Sequence, residues 1–211
     1  MKLETVILGQ MQTNCYLLSS DSAAVVIDPG DKSEIVEKFL LSATNSNKST
    51  LILLTHCHFD HISAVNELKN KFDVKVAVGK GDAEGINNSD FNLSAMFGVK
   101  TEPFIPDILL EDGQIYKTGD IEIRSVFTPG HTKGGMSYFI SGKIFSGDTL
   151  FFESIGNDRF LGGEREALLR SVKKLILSFP DNTEVFPGHG RATTIKHEKE
   201  FNPFLNYDNC F

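Results

Sequence analysis

Tryptophan is absent and cysteine is scarce: the chain has only Cys15, Cys57 and Cys210. The number is odd and no two stand at a C-x-x-C spacing, which excludes a secreted disulfide framework and a cysteine-built zinc site. That usage points to a reducing compartment. Positive charge is also short. Lys and Arg total 21 against 28 Asp and Glu, for a net charge of -7 and a pI of about 5.4. An acidic balance keeps a protein soluble and supplies no broad face for a phosphate backbone, so nucleic acid is not expected as a partner. No apolar stretch approaches the ~20 residues that span a bilayer. Residues 1–10 offer only Val6-Ile7-Leu8 where a signal peptide needs a long apolar core. These absences predict a cytoplasmic chain with no membrane partner.

What is present reads as globular. The chain has 211 residues, 40% apolar and 23% charged, enough for one domain over 1–211 that buries roughly 70% of its unfolded surface. Thr5 to Leu8, Cys15 to Leu18 and Ala23 to Ile27 read as strands, the last ended by the turn Asp28-Pro29-Gly30. Asp31 with Glu34 reads as a capping box before a helix carrying Ile35, Val36, Phe39 and Leu40. Thr44 to Ser49 is polar and loop-like. Leu51 to Leu54 suits a strand buried on both faces. A helix at Val65 and Leu68 and a strand at Val74 to Val78 follow. The segment 79–104 is rich in Gly, Asn and Ser and reads as a long, partly helical loop, a candidate lid. Strands resume at Ile121, Met136 and Ile144. A helix through Leu168, Val172 and Leu175 ends before Pro180, and Val185-Phe186 is a last short strand. Two halves, each running strands first and a helix later, can stack their sheets face to face.

The strongest chemical signal is His56-x-His58-x-Asp60-His61. Three imidazoles and a carboxylate within six residues suit a metal site. In extended chain, residues two apart point the same way, so His56 and His58 can hold one ion while Asp60 and His61 turn to a second. Imidazole and carboxylate ligands favour zinc, iron or manganese over calcium. His131, Asp148 and His189 each lie just beyond a strand and beside glycines, in Pro129-Gly130-His131, Ser146-Gly147-Asp148 and Pro187-Gly188-His189. Five of the six histidines thus stand at strand ends.

These motifs resemble those of the metallo-β-lactamase fold superfamily, over essentially the whole chain. The resemblance implies an α/β protein with a four-layer αββα sandwich and the site at one edge of its sheets. It implies that His56, His58 and His131 bind a first metal, that Asp60, His61 and His189 bind a second, and that Asp148 bridges them. Two divalent ions, zinc first and iron or manganese otherwise, would share a water, lower its pKa and direct it at a carbonyl carbon, with Asp60 as the catalytic residue that orients it. The best-known true β-lactamases carry a Cys as a second-metal ligand where this chain has Asp148, which argues against lactam hydrolysis.

Within the superfamily the chain looks most like the short glyoxalase II-like hydrolases. The similarity lies in Thr13-Asn14-Cys15-Tyr16-Leu17, Gly147-Asp148-Thr149-Leu150-Phe151 and Asn202-Pro203-Phe204-Leu205. A small-molecule thioester, such as S-acyl glutathione, or an ester is the substrate class implied. Full-length glyoxalase II adds a helical domain that holds glutathione, and this sequence stops at Phe211 without it. Relatives often have Arg directly after the glycine that is Gly156 here, where Asn157 and Asp158 intervene before Arg159. Arg159, Lys196 and His197 are candidates for an anionic substrate tail. Cys57 reads as packing. Phe91, Met96 and Phe97 read as a satellite core or a groove wall. The competing class is an oxidoreductase like the persulfide dioxygenases, which hold one iron at the positions of His56, His131 and Asp148. A lactonase or other ester hydrolase of the same fold is the further alternative.

Overall fold

The computed structural model describes residues 1–205, so Cys210 lies outside the described residues. Two six-stranded sheets carry the architecture. The first runs in chain order: β1 (Lys2–Leu8), β2 (Thr13–Ser19), β3 (Ala23–Ile27), β4 (Ser49–Leu54), β5 (Lys75–Gly79) and β6 (Ile108–Leu110). β1, β2 and β3 are antiparallel, and β3 to β6 are parallel. The crossovers carry α1 (Glu34–Asn45), the single turn α2 (Phe59–Ile62), α3 (Val65–Lys71) and α4 (Ser94–Phe97). The second half supplies β7 (Ile115–Thr118), β8 (Ile121–Phe127), β9 (Met136–Ile140), β10 (Lys143–Gly147), the small hairpin β11 (Leu150–Phe151) and β12 (Ser154–Ile155), α5 (Arg165–Ser178), β13 (Glu184–Pro187), β14 (Thr193–Thr194) and α6 (Ile195–Phe201). The second sheet is ordered β14-β13-β10-β9-β8-β7, with β10 and β13 parallel.

Side-chain alternation explains the layering. On β4, Leu51 and Leu53 face the opposite sheet and meet Ile123, Tyr138 and Phe145. Ile52 and Leu54 face outward, under Val36 and Leu40 of α1 and Leu68 of α3. The second sheet repeats this: Ile144 and Val185 pack under Leu168, Val172 and Leu175 of α5. The result is an α/β protein of four layers, α/β/β/α, as expected. Each fully buried Leu or Val in these layers contributes about 1.5–3 kcal/mol relative to exposure. Among the described residues no helix is long and apolar enough to cross a membrane.

Two local expectations need correction. The Asp31–Glu34 capping box does not form. Ser33 is the N-cap residue and its side chain makes no capping bond, while the Asp31 carboxylate accepts from Lys32 N–H at 2.7 Å. Gly30 N–H bonds back to the Asp28 carbonyl at 2.9 Å, so the turn spends two more residues before helical geometry begins. The polar stretch after α1 is also shorter than expected. Thr44 donates to the Leu40 carbonyl at 3.0 Å, which lets a polar residue remain in the last turn. In 79–104 the chain forms a 3-10 turn at Lys80–Asp82 and then α4.

Candidate metal centre

The ligand candidates sit where strands end on one rim of the sandwich. β4 runs out at Leu54, and His56 and His58 follow in extended chain. α2 then turns Asp60 and His61 back toward them. From the second sheet, His131 follows β8, Asp148 follows β10 and His189 follows β13. The structure brings all seven together. His56 Nε2 lies 3.1 Å from His58 Nδ1, and His131 Nε2 lies 2.9 Å from the same atom. His189 Nε2 lies 3.2 Å from Asp60 Oδ2, and His61 Nε2 lies 3.5 Å from it. Asp148 spans the two groups: Oδ1 is 3.5 Å from His61 Nε2, and Oδ2 is 3.5 Å from both His131 Nε2 and His189 Nε2. Within each of the sets His56–His58–His131, Asp60–His61–His189 and His56–His61–Asp148, the donor atoms lie within 4.8 Å of one another.

Buried atoms without partners test whether cations fit. At the cluster, His61 Nε2 and Asp148 Oδ1 are buried and have no hydrogen bond, a costly state for polar atoms in a protein interior. His131 Nδ1 donates to the Asn157 carbonyl at 2.7 Å, so its Nε2 is the nitrogen turned toward His58. His56 Nε2 and His131 Nε2, each about 3 Å from His58 Nδ1, are spaced to share one tetrahedral ion with it at 2.0–2.1 Å from each. The donor set therefore fits a pair of divalent ions.

Electrostatics divide the cluster. Burial, then the neighbouring imidazoles, pushes His56 and His58 well below the usual histidine range. Burial opposes the charged form of His61 too, but Asp60, Asp148 and Asp28 outweigh it and hold His61 up at about 10. His189 is raised, its bond to Asp60 and the charge of Asp148 overcoming burial. Asp60 is held well below the carboxylate range despite burial, by His61 and His189. One half thus offers neutral lone pairs, and the other holds protons between imidazole and carboxylate that a dication would displace.

A shell of buried groups aims these side chains. Asp28 takes His61 Nδ1–H at 3.0 Å and Thr55 Oγ–H at 2.7 Å on Oδ2, and Thr55 N–H at 2.8 Å on Oδ1. Thr13 donates to Asp60 Oδ2 at 3.0 Å, and His189 Nδ1 lies 3.1 Å from the Met11 carbonyl. Asn14 donates to the carbonyls of Pro187 and Gly190, and Tyr16 to that of Pro187, which pins the His189 loop onto β2. This gives the Thr13-Asn14-Cys15-Tyr16 motif its physical role. Gly188 is there because space is short: a Cβ on it would lie 2.2 Å from Asp148 Oδ1 and 2.8 Å from His61 Cε1. Asp82 joins the two halves. Its carboxylate accepts from Cys57 N–H at 3.0 Å, Thr132 Oγ–H at 2.7 Å and Gly134 N–H at 2.7 Å.

Cys57 is buried in the core outside the first sheet, away from the ligands. Phe160 stands over the imidazoles, its ring centroid 6.0 Å from that of His58 and 6.4 Å from that of His131. Arg159 beside it is exposed. Lys196 and His197 lie outside all three donor sets. His197 is engaged elsewhere, 2.9 Å from Glu153 and stacked between Phe152 and Phe201. Asp28, Asp82, Thr13 and Phe160 escaped the sequence reading as site residues. Only Thr13 and Asp28 carried a signal, the first inside the Thr13-Asn14-Cys15-Tyr16 motif and the second in an Asp-Pro-Gly turn.

Comparison with known proteins covers the same residues. The family model described as Metallo-beta-lactamase superfamily matches residues 8–189. The chain is 32% identical over 211 residues to the hydroxyacylglutathione hydrolase GloC of Haemophilus influenzae, covering 98% of this chain and 99% of that one. A structure described as BLEG-1 B3 metallo-beta-lactamase is 35% identical and superposes with a TM-score of 0.87 over 97% of this chain and 100% of that one. A structure of TTHA1623 in a di-iron-bound form is 35% identical, with a TM-score of 0.82 over 96% and 100%.

Proposed function

The chain belongs to the metallo-beta-lactamase superfamily, and from that premise we propose that it is a binuclear metal-dependent hydrolase of small-molecule thioesters and related esters, acting in the cytoplasm. One observation carries the reading: five imidazoles and two carboxylates from four strand ends converge, and two of their buried atoms, His61 Nε2 and Asp148 Oδ1, are left without a hydrogen bond. The resemblance to a hydroxyacylglutathione hydrolase supports the thioester class. The di-iron form of TTHA1623 supports a pair of ions and makes iron a candidate beside zinc and manganese.

In this reading His56, His58 and His131 hold one ion, Asp60, His61 and His189 hold the other, and Asp148 lies between them. Bound divalent ions lower the pKa of a shared water toward neutrality and polarise a carbonyl oxygen. The chain's own residues supply the rest. Asp60 is kept ionised by His61 and His189 and oriented by Thr13, so one of its oxygens remains available to align the attacking water. Asp28 fixes the His61 ring with its proton on Nδ1, leaving Nε2 free for the site. Phe160 sets an apolar ring beside the His58 and His131 imidazoles. A thiolate leaving group has a pKa near ~8.5 and departs without a protonated side chain.

A second reading, lactam hydrolysis, is favoured by the resemblance to the BLEG-1 structure. The test is direct. Metal content per chain is measured on protein purified without added metal or chelator, and S-lactoyl glutathione, other thioesters and a chromogenic cephalosporin are then assayed on that protein. About two ions per chain with thioester turnover supports the proposal. Faster turnover of the cephalosporin replaces it with the second reading. A single iron with oxygen consumption on a persulfide overturns both.

A further inference from the structure

We propose that the groove between the β1–β2 turn and α4 receives the acyl chain of the substrate, so that the enzyme prefers thioesters of longer apolar acids. The inference rests on the hydrolase reading above and concerns which molecules that site accepts.

The groove has a volume of about 350 Å³, within the range of small-molecule sites. Its floor is Leu8 and Phe59, both buried, and its walls are Met11, Phe97 and Val99, which are 42%, 44% and 37% exposed. Three large apolar side chains left open around one concavity mark a binding surface better than they mark a core. The groove abuts the reaction centre. Asp60 is part of its lining, and Met11, whose carbonyl orients His189, is another part. Its outer wall is built in advance. α4 is bracketed by left-handed residues, Leu93 at φ 64° and Gly98 at φ 65°. The Asn92 carbonyl accepts from Phe59 N–H at 2.8 Å, which sets the wall in register with the loop that carries Asp60.

Charge decides between a neutral chain and an anionic tail. The two cations at the groove each already have a carboxylate beside them: Lys32 pairs with Glu67 at 2.7 Å and Lys100 with Glu102 at 2.8 Å, both at the surface. The other charged groups lining it are Asp31 and Asp60, which are anionic. A substrate carboxylate placed there gains no free cation, whereas a hydrocarbon chain gains contact with five apolar side chains. The chemistry is ordinary hydrolysis. Water forms the new C–O bond, the C–S bond breaks, and an acid and a thiol leave.

The test uses straight-chain acyl thioesters of one thiol, from acetyl to octanoyl, on the metal-loaded full chain and on Val99→Asp and Phe97→Ala. Full burial of a methylene is worth about fourfold, so half-burial in an open groove gives about twofold per methylene and roughly 60-fold in kcat/KM across the series. Val99→Asp should lower the octanoyl-to-acetyl ratio of kcat/KM by at least about 10-fold. Phe97→Ala should flatten the series less. Both variants are checked for metal content and circular dichroism, so that a folding defect is not mistaken for lost selectivity. Turnover of the acetyl substrate with a flat series, or a Val99→Asp series as steep as wild type, overturns the groove assignment and leaves the hydrolase reading standing. No turnover of any thioester by metal-loaded protein overturns both.

Discussion

Replacing Asp28 by Asn changes one atom where the site's orientation depends on it. Asp28 is buried and has a φ of 53°, a conformation that Asn tolerates as readily as Asp, so the backbone turn survives. The hydrogen bonds do not. The carboxylate accepts three: Thr55 N–H on one oxygen, and Thr55 Oγ–H and His61 Nδ1–H on the other. An amide has one acceptor oxygen. If it faces Thr55 N–H, its NH₂ meets the His61 Nδ1–H, and the ring must move its proton to Nε2, the nitrogen aimed at Asp60 and Asp148. If it faces His61, the buried Thr55 N–H loses its partner. The first arrangement takes the Nε2 lone pair away from a metal; the second leaves one buried polar group unpaired, a loss of about 1–3 kcal/mol. Removing a group that orients a metal ligand typically costs 10–100-fold in metal affinity or activity. These ranges agree, since tenfold is about 1.4 kcal/mol. The assay is competitive titration against a chromophoric chelator, with circular dichroism to verify the fold. Asp28→Asn binding both ions within twofold of wild-type affinity would refute the argument that Asp28 sets the His61 tautomer.

The other predictions follow from single contacts. Asp148→Ala removes the only carboxylate among the described residues that touches both groups, so elemental analysis should find at least one ion lost and thioester turnover abolished; two tightly held ions would break the ligand scheme. His197→Ala should leave metal content unchanged, because that ring is held by Glu153, Phe152 and Phe201, and a lost ion there would contradict its placement. Glu67 accepts from Lys32 and Lys71, which hold its carboxyl down at about 2. A depressed carboxylate contributes stability that is present above the unfolded pKa near ~4.3 and fades as pH falls toward 2. Glu67→Gln should therefore narrow its gap from wild type in thermal midpoint as pH drops from about 5 to 2, and a gap that widens instead would reverse the sign of the argument.

The legible parts of the fold were those where one segment decides its own state. Ala23–Ile27 and Met136–Ile140 are bounded by turns, and both strands have the limits that their composition predicts. β6, β7 and β14 were not read, because runs of two to four residues pair only when a neighbouring strand presents its edge. The capping box failed for a similar reason: the turn before α1 is shaped by Gly30 closing on Asp28, not by the residues of the helix. In the site, His56 to His61 could be read because their proximity is local. Asp82 could not. Its partners include Thr132 and Gly134, 50 and 52 residues away, and an isolated Asp in a Gly-rich segment carries no mark of them. The groove was half readable. Phe97 was placed as a core or groove residue, but its partner Phe59 lies across the fold, 5.1 Å between centroids.

The ligand candidates are unevenly spread along the chain: four stand in one hexapeptide, and the other three arrive from positions 131, 148 and 189. A hexapeptide with three imidazoles and a carboxylate can grip a metal ion before the protein folds. Binding to the unfolded chain subtracts from the stability that a metal confers on the native state. A melting temperature measured with and without metal therefore reports the difference between two grips. That difference belongs to His131, Asp148 and His189 and to the sheet that delivers them.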